Sequence, residues 1–488
     1  MKRNVRKASS FILAAVMTVG AASAAFAGEY KVQKGDCLAK IAPKYGTTWQ
    51  VLADMNKLAN PNLIFPNQIL KVPDLKTEVK EEKPAAPAPE VKEEVSKPVT
   101  LPAPVEEAKP VAPSENEVKK EATVALTSLK VADIAMTGTA LEPEFAPDVT
   151  SYTVNVQDDI YGVKVTPTAE EGAVITVDGN ELDENGSYIV KLDQSIEGYG
   201  KDYSVDAVVK VVKGDAEKEY TIHIVRENAA STYALFEAKS YEDKETGLTL
   251  PYELYVPSNY DASKKYPVVY VMHGAGQRQQ PLDMVLKRYQ SATIWAKDSE
   301  AGVNQCIVVS PQIVPAEGAG WTDFMKDYDR EGFDTKNPVM TVDAYNMQPY
   351  AVAGYNLLQE IKSEYSVDEN KIYATGLSMG GFGTFATAVA HPDEFAAIVP
   401  VCGGLDPEKA SVLKDNNVKV WLFHAKDDPA VNFAAFGQTS IDALEKAGVD
   451  YKATVFEPGE VFYPNAHFAW TPAYANKEMR TWLFEQSK

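Results

Sequence analysis

The chain contains the pentapeptide Gly376-Leu377-Ser378-Met379-Gly380. Its glycines and serine have the spacing of a G-x-S-x-G nucleophile motif. An apolar segment, KIYAT, precedes the motif and a small-residue segment, GGFGTFATAVA, follows it, which predicts a strand, a sharp turn and a helix. Such a turn strains its central residue and brings two backbone segments together, so residues without a Cβ are needed on either side. We therefore predict that Ser378 is a nucleophile lifted to the N-terminus of a helix.

A serine hydroxyl needs a positioned base to take its proton, and the chain has five histidines. In the α/β-hydrolase fold, where this motif occurs, the chain order is serine, acid, histidine, which excludes His223 and His273. His391 is predicted at the end of the helix that follows the motif, and His424 comes before the candidate acid. His467 lies in NAHFAWTP, between the last strand and the C-terminal helix. We therefore predict that His467 is the base.

The acid is expected on the loop after the strand VKVWLFHA, where Asp427 and Asp428 are adjacent. Neighbouring residues at a strand end point in different directions, so only one of them can orient the histidine and stabilise its imidazolium form. The hydrolase pattern of histidine, three residues, aspartate, two residues and valine matches His424, Asp428 and Val431. This spacing favours Asp428, with Asp427 as the alternative.

Backbone amides are the usual donors to the oxyanion that forms during acyl transfer. We predict one donor at Met379, directly after the nucleophile, and a second at Ala275, in the loop that follows the strand VVYVM. His273, in the same loop, is predicted to be structural. The resulting reaction is a two-step acyl transfer that requires no metal and no cofactor.

The region from residue 231 to 488 alternates β-branched apolar runs with helical stretches. This alternation predicts an α/β domain with a doubly wound, mostly parallel sheet. Leu250–Val256 is predicted as an antiparallel edge strand. The runs are VVYVMHG, CIVVSPQ, KIYATGLS, FAAIVPV and VKVWLFHA, and the predicted helices are 344–365, 380–390, 433–447 and 473–486.

The segments PVVYVMHGAG, VVSPQIVPAEGAGW, ATGLSMGGFGT, FHAKDDPAV and AHFAWTPAY resemble bacterial extracellular esterases and predicted peptidases related to feruloyl esterases and polyhydroxybutyrate depolymerases. The resemblance places the family's triad on Ser378, Asp428 and His467. It implies a carboxylesterase that acts on short acyl or aryl esters, including feruloyl or acetyl groups on polysaccharide. Two alternatives remain: a serine peptidase of the prolyl-oligopeptidase type, and a non-catalytic cell-wall adhesin that has lost activity.

Residues 29–73 form a separate small module with two predicted strands, 30–32 and 69–72, and two predicted helices, 38–45 and 49–58. The module resembles LysM, which implies binding of N-acetylglucosamine polymers such as peptidoglycan or chitin. Cys37 replaces the threonine and Asn67 the glycine that the family usually carries, so a degenerate module kept as a spacer is the alternative. The predicted sugar-binding residues are Gly35, Asp36, Cys37, Ile64, Phe65, Pro66 and Asn67.

Two further segments separate this module from the α/β domain. Residues 74–123 are rich in Pro, Glu, Lys and Ala and contain no aromatic residue, which predicts an extended linker. Residues 124–228 hold short alternating strands separated by turn signals such as Asn185-Gly186, which predicts an all-β sandwich. The stretch LTSLKVADIAMTGTALEPEFAPDVTSYTVNV resembles the cadherin-like β-sandwich domain of bacterial surface proteins.

The N-terminus combines a basic start, MKRNVRK, with an apolar run and a small-residue cleavage site at Ala25-Phe26-Ala27. This order predicts a signal peptide over residues 1–27. A membrane anchor is the alternative, but the run is shorter than the roughly 20 apolar residues of a spanning helix. We expect a secreted, extracellular protein that associates with the cell wall and has no membrane span in its mature form.

The formal net charge of −21 disfavours nucleic acid as a partner, because phosphate binding needs a basic face. Three cysteines, Cys37, Cys306 and Cys402, lack the paired spacing of a metal knuckle or a disulfide scaffold. A bridge between Cys306 and Cys402 stays open at this point.

Overall fold

The computed structural model describes residues 26–32, 38–45, 47, 51–52, 55–56, 69–73, 123–193, 201–315, 318–341 and 343–488. By its internal contacts the chain divides into two units, Met1–Ser114 and Glu115–Lys488. The predicted signal peptide up to residue 25 and the predicted linker up to residue 122 lie outside the described residues.

In the N-terminal unit, strands β1 (Phe26–Lys31) and β2 (Ile69–Pro73) pair antiparallel, with Tyr30 opposite Leu70. A short α-helix, Leu38–Ile41, and a 3-10 turn, Ala42–Tyr45, pack on this pair. β2 alternates between exposed and buried residues, which explains why the sequence pattern located it. Buried apolar side chains form the small core: Val32, Leu38, Ile41, Ala42, Leu52, Leu70 and Val72. All seven predicted sugar-binding residues lie outside the described residues.

The second unit begins with a β-sandwich of two sheets. One sheet has the order β3-β5-β8 and the other β4-β10-β9-β6-β7, and all pairs are antiparallel except β4 with β10. The alternation of valine, isoleucine and tyrosine turns one face of each sheet inward onto a shared core. The strands are β3 Leu126–Asp133, β4 Ser151–Val156, β5 Gly162–Ala169, β6 Val174–Val177, β7 Asn180–Glu181, β8 Tyr188–Lys191, β9 Tyr203–Lys213 and β10 Ala216–Arg226.

The C-terminal domain contains an eight-stranded mixed sheet with the order β11-β12-β14-β13-β15-β16-β17-β18. From β14 to β18 all neighbours are parallel, whereas β12 is antiparallel to both β11 and β14. The fold prediction is therefore confirmed. The strands are β11 Phe236–Glu242, β12 Thr249–Tyr255, β13 Tyr266–Met272, β14 Ile307–Pro311, β15 Val367–Leu377, β16 Ala397–Val401, β17 Lys419–Ala425 and β18 Tyr451–Phe456.

Helices cover both faces of this sheet, and each face has its own apolar core. Strands β14 and β16 are buried along their whole length, as expected for parallel strands between two helical layers. The α-helices are Ala230–Tyr233, Met284–Lys287, Thr293–Glu300, Phe324–Tyr328, Pro349–Glu364, Met379–Ala390, Ala410–Asp415, Thr439–Ala447, Trp470–Ala475 and Lys477–Glu485.

Some predicted elements differ from the structure. The strand predicted at the sheet edge, now β12, is second from the edge, because β11 pairs on its outer side. The predicted helix 344–365 begins only at Pro349, whose missing N–H suits a first helical turn. The predicted helix 433–447 starts as a π-helix over Phe433–Gln438, and the last predicted helix is split at Asn476, which caps its second half.

Cys306 and Cys402 are both free and buried. They therefore do not form the disulfide bridge that the sequence had left open. In the part of the chain that the structure describes, every helix is too short or too polar to cross a membrane.

Candidate active site

Ser378 occupies the sharp turn between β15 and the helix Met379–Ala390, with φ of 55° and ψ of −118°. This is a left-handed conformation that costs a residue with a side chain about 1 to 3 kcal/mol. The turn leaves no room for side chains on either side. A Cβ on Gly376 would lie 2.4 Å from the Gly380 oxygen, and a Cβ on Gly380 would lie 2.0 Å from the Met272 oxygen. The predicted strained elbow is present.

His467 lies in a 3-10 turn, Ala466–Phe468, on the loop after β18. Its Nε2 is 2.9 Å from Ser378 Oγ. The backbone of the histidine is held on both sides, because its amide donates to Asn465 Oδ1 at 3.0 Å and its carbonyl lies 3.4 Å from Cys402 Sγ. This geometry allows Nε2 to accept the serine proton without a change in the loop.

Asp428 completes the arrangement, with Oδ2 at 2.7 Å from His467 Nδ1. Its other oxygen, Oδ1, accepts hydrogen bonds from the Ala430 and Val431 amides, each at 2.8 Å. Asp427 is exposed and its carboxylate accepts a bond from the Gly459 amide at 3.0 Å, away from the histidine. The structure therefore brings together Ser378, His467 and Asp428. Asp427, the alternative acid, lies outside this hydrogen-bonded arrangement.

Electrostatics keep the Asp428 carboxylate charged. Burial alone would raise the pKa of Asp428, but the charge of His467 and hydrogen bonds from His424 and His467 outweigh burial and hold the pKa well below its usual range. A charged carboxylate opposite Nδ1 fixes the proton on that nitrogen and leaves Nε2 free to act as a base.

His424 is the contributor to the site that sequence reasoning missed. It is buried at the end of β17, with Nε2 at 2.8 Å from the Val431 oxygen and 3.4 Å from Asp428 Oδ2. Chain order excludes it as the base, but it lies beside Asp428 Oδ2, the same oxygen that His467 contacts. The signal was present in the spacing of His424, Asp428 and Val431, which places all three in one tight turn.

The two predicted oxyanion donors lie on loops next to the elbow. Met379 begins its α-helix and Ala275 begins a 3-10 turn, Ala275–Gln277, so neither amide has an acceptor inside its own helix. The second loop is held by the Gln277 side chain, which accepts a bond from the Gly274 amide at 2.9 Å. The donor role of both amides stays a prediction.

The remaining histidines have other partners. His273 is buried, its Nδ1 donates to the Gly274 oxygen at 2.7 Å, and its Nε2 accepts from the Ile313 amide at 2.9 Å. Burial lowers the pKa of His273 to about 4, so the ring stays neutral and structural. His391 stacks on a tyrosine ring at 3.4 Å, and His223 is paired with an aspartate at 2.6 Å on the sandwich.

Cys402, Asp428 and His467 place one potential metal-ligand atom each within 4.8 Å of one another. A metal would require a Cys402 thiolate, but burial and the charge of Asp428 raise the pKa of this thiol well above its usual range. The aspartate and the histidine are also already bonded to each other. The donor set therefore fits a hydrogen-bonded serine, histidine and aspartate better than it fits a metal.

A serine on a strained turn between a parallel strand and a helix, within hydrogen-bond distance of a histidine backed by an aspartate, is the arrangement of α/β-hydrolase enzymes. Comparison with family models agrees. The LysM domain model matches residues 30–73, the cadherin-like beta sandwich domain model residues 126–227, and the putative esterase model residues 244–472. The chain therefore contains these three domains, which confirms the three resemblances. The first suggests glycan binding and cell-wall association, and the last an ester substrate.

Individual relatives cover parts of the chain. Poly(3-hydroxyalkanoate) depolymerase C of Paucimonas lemoignei is 37% identical over 57 residues, or 12% of this chain and 14% of the depolymerase. Probable feruloyl esterase C of Aspergillus oryzae is 25% identical over 154 residues, or 32% of this chain and 46% of the esterase. The chain thus spans less than half the length of these two curated relatives. A solved thermostable esterase is 25% identical, with a TM-score of 0.48, and the match covers 69% of this chain and 99% of that one.

Proposed function

We propose that this protein is a secreted, cell-wall-associated carboxylesterase that cleaves short acyl or aryl esters through an acyl-enzyme on Ser378. One observation carries the proposal: the Ser378 hydroxyl, on its strained elbow, lies 2.9 Å from His467 Nε2, and His467 Nδ1 lies 2.7 Å from Asp428. The match of residues 244–472 to the putative esterase model supports the choice of an ester as substrate.

In the first step Ser378 Oγ attacks the ester carbonyl while His467 Nε2 takes the hydroxyl proton. Asp428 stabilises the imidazolium that forms. The amides of Met379 and Ala275 donate to the oxyanion, and each such donor is typically worth about 10² to 10³ in rate. His467 then protonates the leaving alcohol, and the acyl group remains on the serine.

In the second step His467 takes a proton from water, and the resulting hydroxide attacks the acyl-enzyme carbonyl. The tetrahedral intermediate collapses, His467 returns the proton to Ser378 Oγ, and the carboxylic acid leaves. The low pKa of Asp428 matters in both steps, because a neutral carboxyl would no longer orient the histidine.

We assign the natural substrate to acyl groups esterified to polysaccharide, with feruloyl and acetyl groups as the leading candidates. Two findings support this assignment: a relative over 154 residues is named a probable feruloyl esterase, and this protein contains a LysM domain, a glycan-binding type of module. A polysaccharide ester would be held near the enzyme by such a module.

A substrate panel tests the reaction. p-Nitrophenyl acetate and butyrate, methyl ferulate and a set of peptide p-nitroanilides are incubated with the wild-type protein and with Ser378→Ala. We expect turnover of one or more esters, little turnover of the anilides, and a loss of about 10⁴-fold or more in the variant. Preferred cleavage of the anilides would instead identify a peptidase, and ester turnover that survives the substitution would contradict the proposal.

The LysM domain is proposed to attach the enzyme to peptidoglycan or a chitin-like polymer. Support comes from the family-model match over residues 30–73. Sedimentation with purified peptidoglycan and with chitin, using the mature chain with and without residues 29–73, tests this claim. We expect the truncated chain to stay in the supernatant with its esterase activity intact, whereas equal sedimentation of both chains would refute the attachment role.

A further inference from the structure

The β-sandwich and the α/β domain meet at the loop that carries His467. Four side chains of the α/β domain pack against the sandwich core: Phe462, Tyr463, Phe468 and Ala475. On the sandwich side the central residue is Tyr161, which is 3% exposed and directly precedes β5. The contact therefore lies within a few residues of the candidate base.

Tyr161 contacts this loop on both sides of the histidine. Its ring centroid lies 5.9 Å from that of Tyr463 and 6.0 Å from that of Phe468. Its hydroxyl is 3.4 Å from Thr471 Oγ1. One sandwich side chain thus touches residues before and after His467.

A series of aromatic contacts continues from Tyr161 to the imidazole. The Phe468 ring lies 4.5 Å from the Trp470 ring, and the Trp470 ring meets the His467 ring edge to face at 5.0 Å and 85°. Tyr289 of the α/β domain packs against the same Trp470 ring at 5.0 Å. Aromatic pairs at these distances are stabilised beyond their buried area, so the series restricts where the imidazole ring can lie.

The loop needs such external support. Between the end of β18 at Phe456 and the helix that begins at Trp470, its regular structure in the described residues is the single 3-10 turn around His467. Loops of this length are mobile unless other elements hold them. The catalytic distance of 2.9 Å between His467 and Ser378 thus depends on the packing around the loop.

The domain contact itself is well fixed. A Cβ on Gly162 would lie 2.7 Å from the Tyr463 ring, so this ring packs directly against the Gly162 backbone. Beside it, the buried Gln290 amide donates to Asp159 at 2.8 Å, and Lys297 forms an ion pair with the buried Asp158. Separation of the domains would break these bonds and expose the apolar contact of Tyr161 with Tyr463 and Phe468 to water, which is unfavourable. The sandwich is therefore a rigid support for the loop.

We propose that Tyr161 of the sandwich is a positioning residue for the reaction, which holds the loop so that His467 Nε2 stays within reach of Ser378. The inference rests on the proposed function, because it assigns Tyr161 to the same serine and histidine. The sandwich accordingly completes the active site from outside the α/β domain, without touching the substrate.

The test compares four variants of the full chain. Tyr161→Ala removes the ring, Tyr161→Leu keeps apolar volume but not the ring, and Tyr161→Phe keeps the ring without the hydroxyl. Phe145→Ala is the matched control, because the ring pairs of Phe145, with Tyr152 and Tyr220, lie within the same sandwich core. Each variant is measured for thermal unfolding, for kcat and KM with a p-nitrophenyl ester, and for the rate of labelling by a fluorophosphonate.

We expect Tyr161→Ala and Tyr161→Leu to lower kcat and the labelling rate about 10- to 100-fold with KM changed less than about twofold, because a displacement near 1 Å has an effect of this size. Tyr161→Phe and Phe145→Ala should stay near wild type. If Tyr161→Ala does not fold, Tyr161→Leu is compared with Phe145→Ala in its place.

Two results would overturn the inference: wild-type labelling and kcat in both ring-deleted variants, or equal losses in these variants and in Phe145→Ala. Labelling of the wild-type protein without ester turnover would instead count against the proposed substrate class. It would leave the comparison of labelling rates valid.

Discussion

The choice between two adjacent carboxylates gives the sharpest prediction about the site. Asp428→Asn changes one oxygen to nitrogen and keeps the volume. Its remaining oxygen can accept the two loop amides now bonded to Oδ1, at 2.8 Å each. The new NH₂ group then faces His467 Nδ1, where a carboxylate lay at 2.7 Å. A donor in that position forces Nδ1 to become an acceptor and moves the proton to Nε2, so the base is lost.

The size of the effect follows from this tautomer change. Loss of the histidine base through the wrong tautomer typically lowers kcat about 10⁴-fold, which corresponds to about 5.5 kcal/mol at about 1.4 kcal/mol per factor of ten. Asp427→Asn is the matched control, because its carboxylate is exposed and accepts a bond from the Gly459 amide, away from His467. We expect this control to stay within about twofold of wild type.

Steady-state kinetics with a p-nitrophenyl ester, together with thermal unfolding of each variant, measure both effects. An Asp428→Asn enzyme that keeps more than a tenth of wild-type kcat would refute the assignment of the acid. So would an Asp427→Asn enzyme that loses as much activity as its neighbour, provided that both proteins unfold near the wild-type temperature.

Two further predictions concern the elbow and the sheet. Gly380→Ala should lower the soluble folded yield and kcat more than tenfold, since its Cβ would lie 2.0 Å from the Met272 oxygen; wild-type activity and melting temperature would contradict the packing argument. Glu253 on β12 is buried, and burial together with the Asp283 charge raises the pKa of Glu253 from 4.5 to about 7 against the opposing effect of Lys287. Between these two pKa values the folded state keeps a proton on Glu253 that the unfolded state has lost. The contribution of Glu253 to the free energy of unfolding is therefore fully present below pH 4.5 and is lost as pH rises through 7. Allowing for solvent screening, the free energy of unfolding of Glu253→Gln should rise by about 1 to 2 kcal/mol relative to wild type between pH 5 and 8. Urea unfolding measures this difference at each pH. A difference that does not change with pH would refute the prediction.

Sequence reasoning selected the candidate site residues where the signals were local. The elbow around Ser378 could be predicted because its glycines are required by backbone contacts within the motif itself. Asp428 followed from a spacing that describes one tight turn. His467 was selected by chain order among few histidines, and the structure places its Nε2 at 2.9 Å from the serine.

What the sequence did not show depends on the path of the chain. The spacing of His424, Asp428 and Val431 indicates one tight turn, but it does not show that this turn returns the Val431 oxygen to the His424 ring. β11 was missed because an edge strand with one exposed face lacks the apolar run of the central strands. The contact of Tyr161 with Thr471 joins residues 310 positions apart, and no local pattern encodes such a pairing.

Covalent labelling tests the central claim most directly. The mature wild-type protein, Ser378→Ala and Asp427→Asn are treated with a fluorophosphonate, digested and analysed by mass spectrometry. We predict one adduct per molecule on the peptide that contains Ser378 in the wild type and in Asp427→Asn, and none in Ser378→Ala. An unlabelled wild-type protein, or an adduct on a different serine, would contradict the account of Ser378, His467 and Asp428 as a working triad.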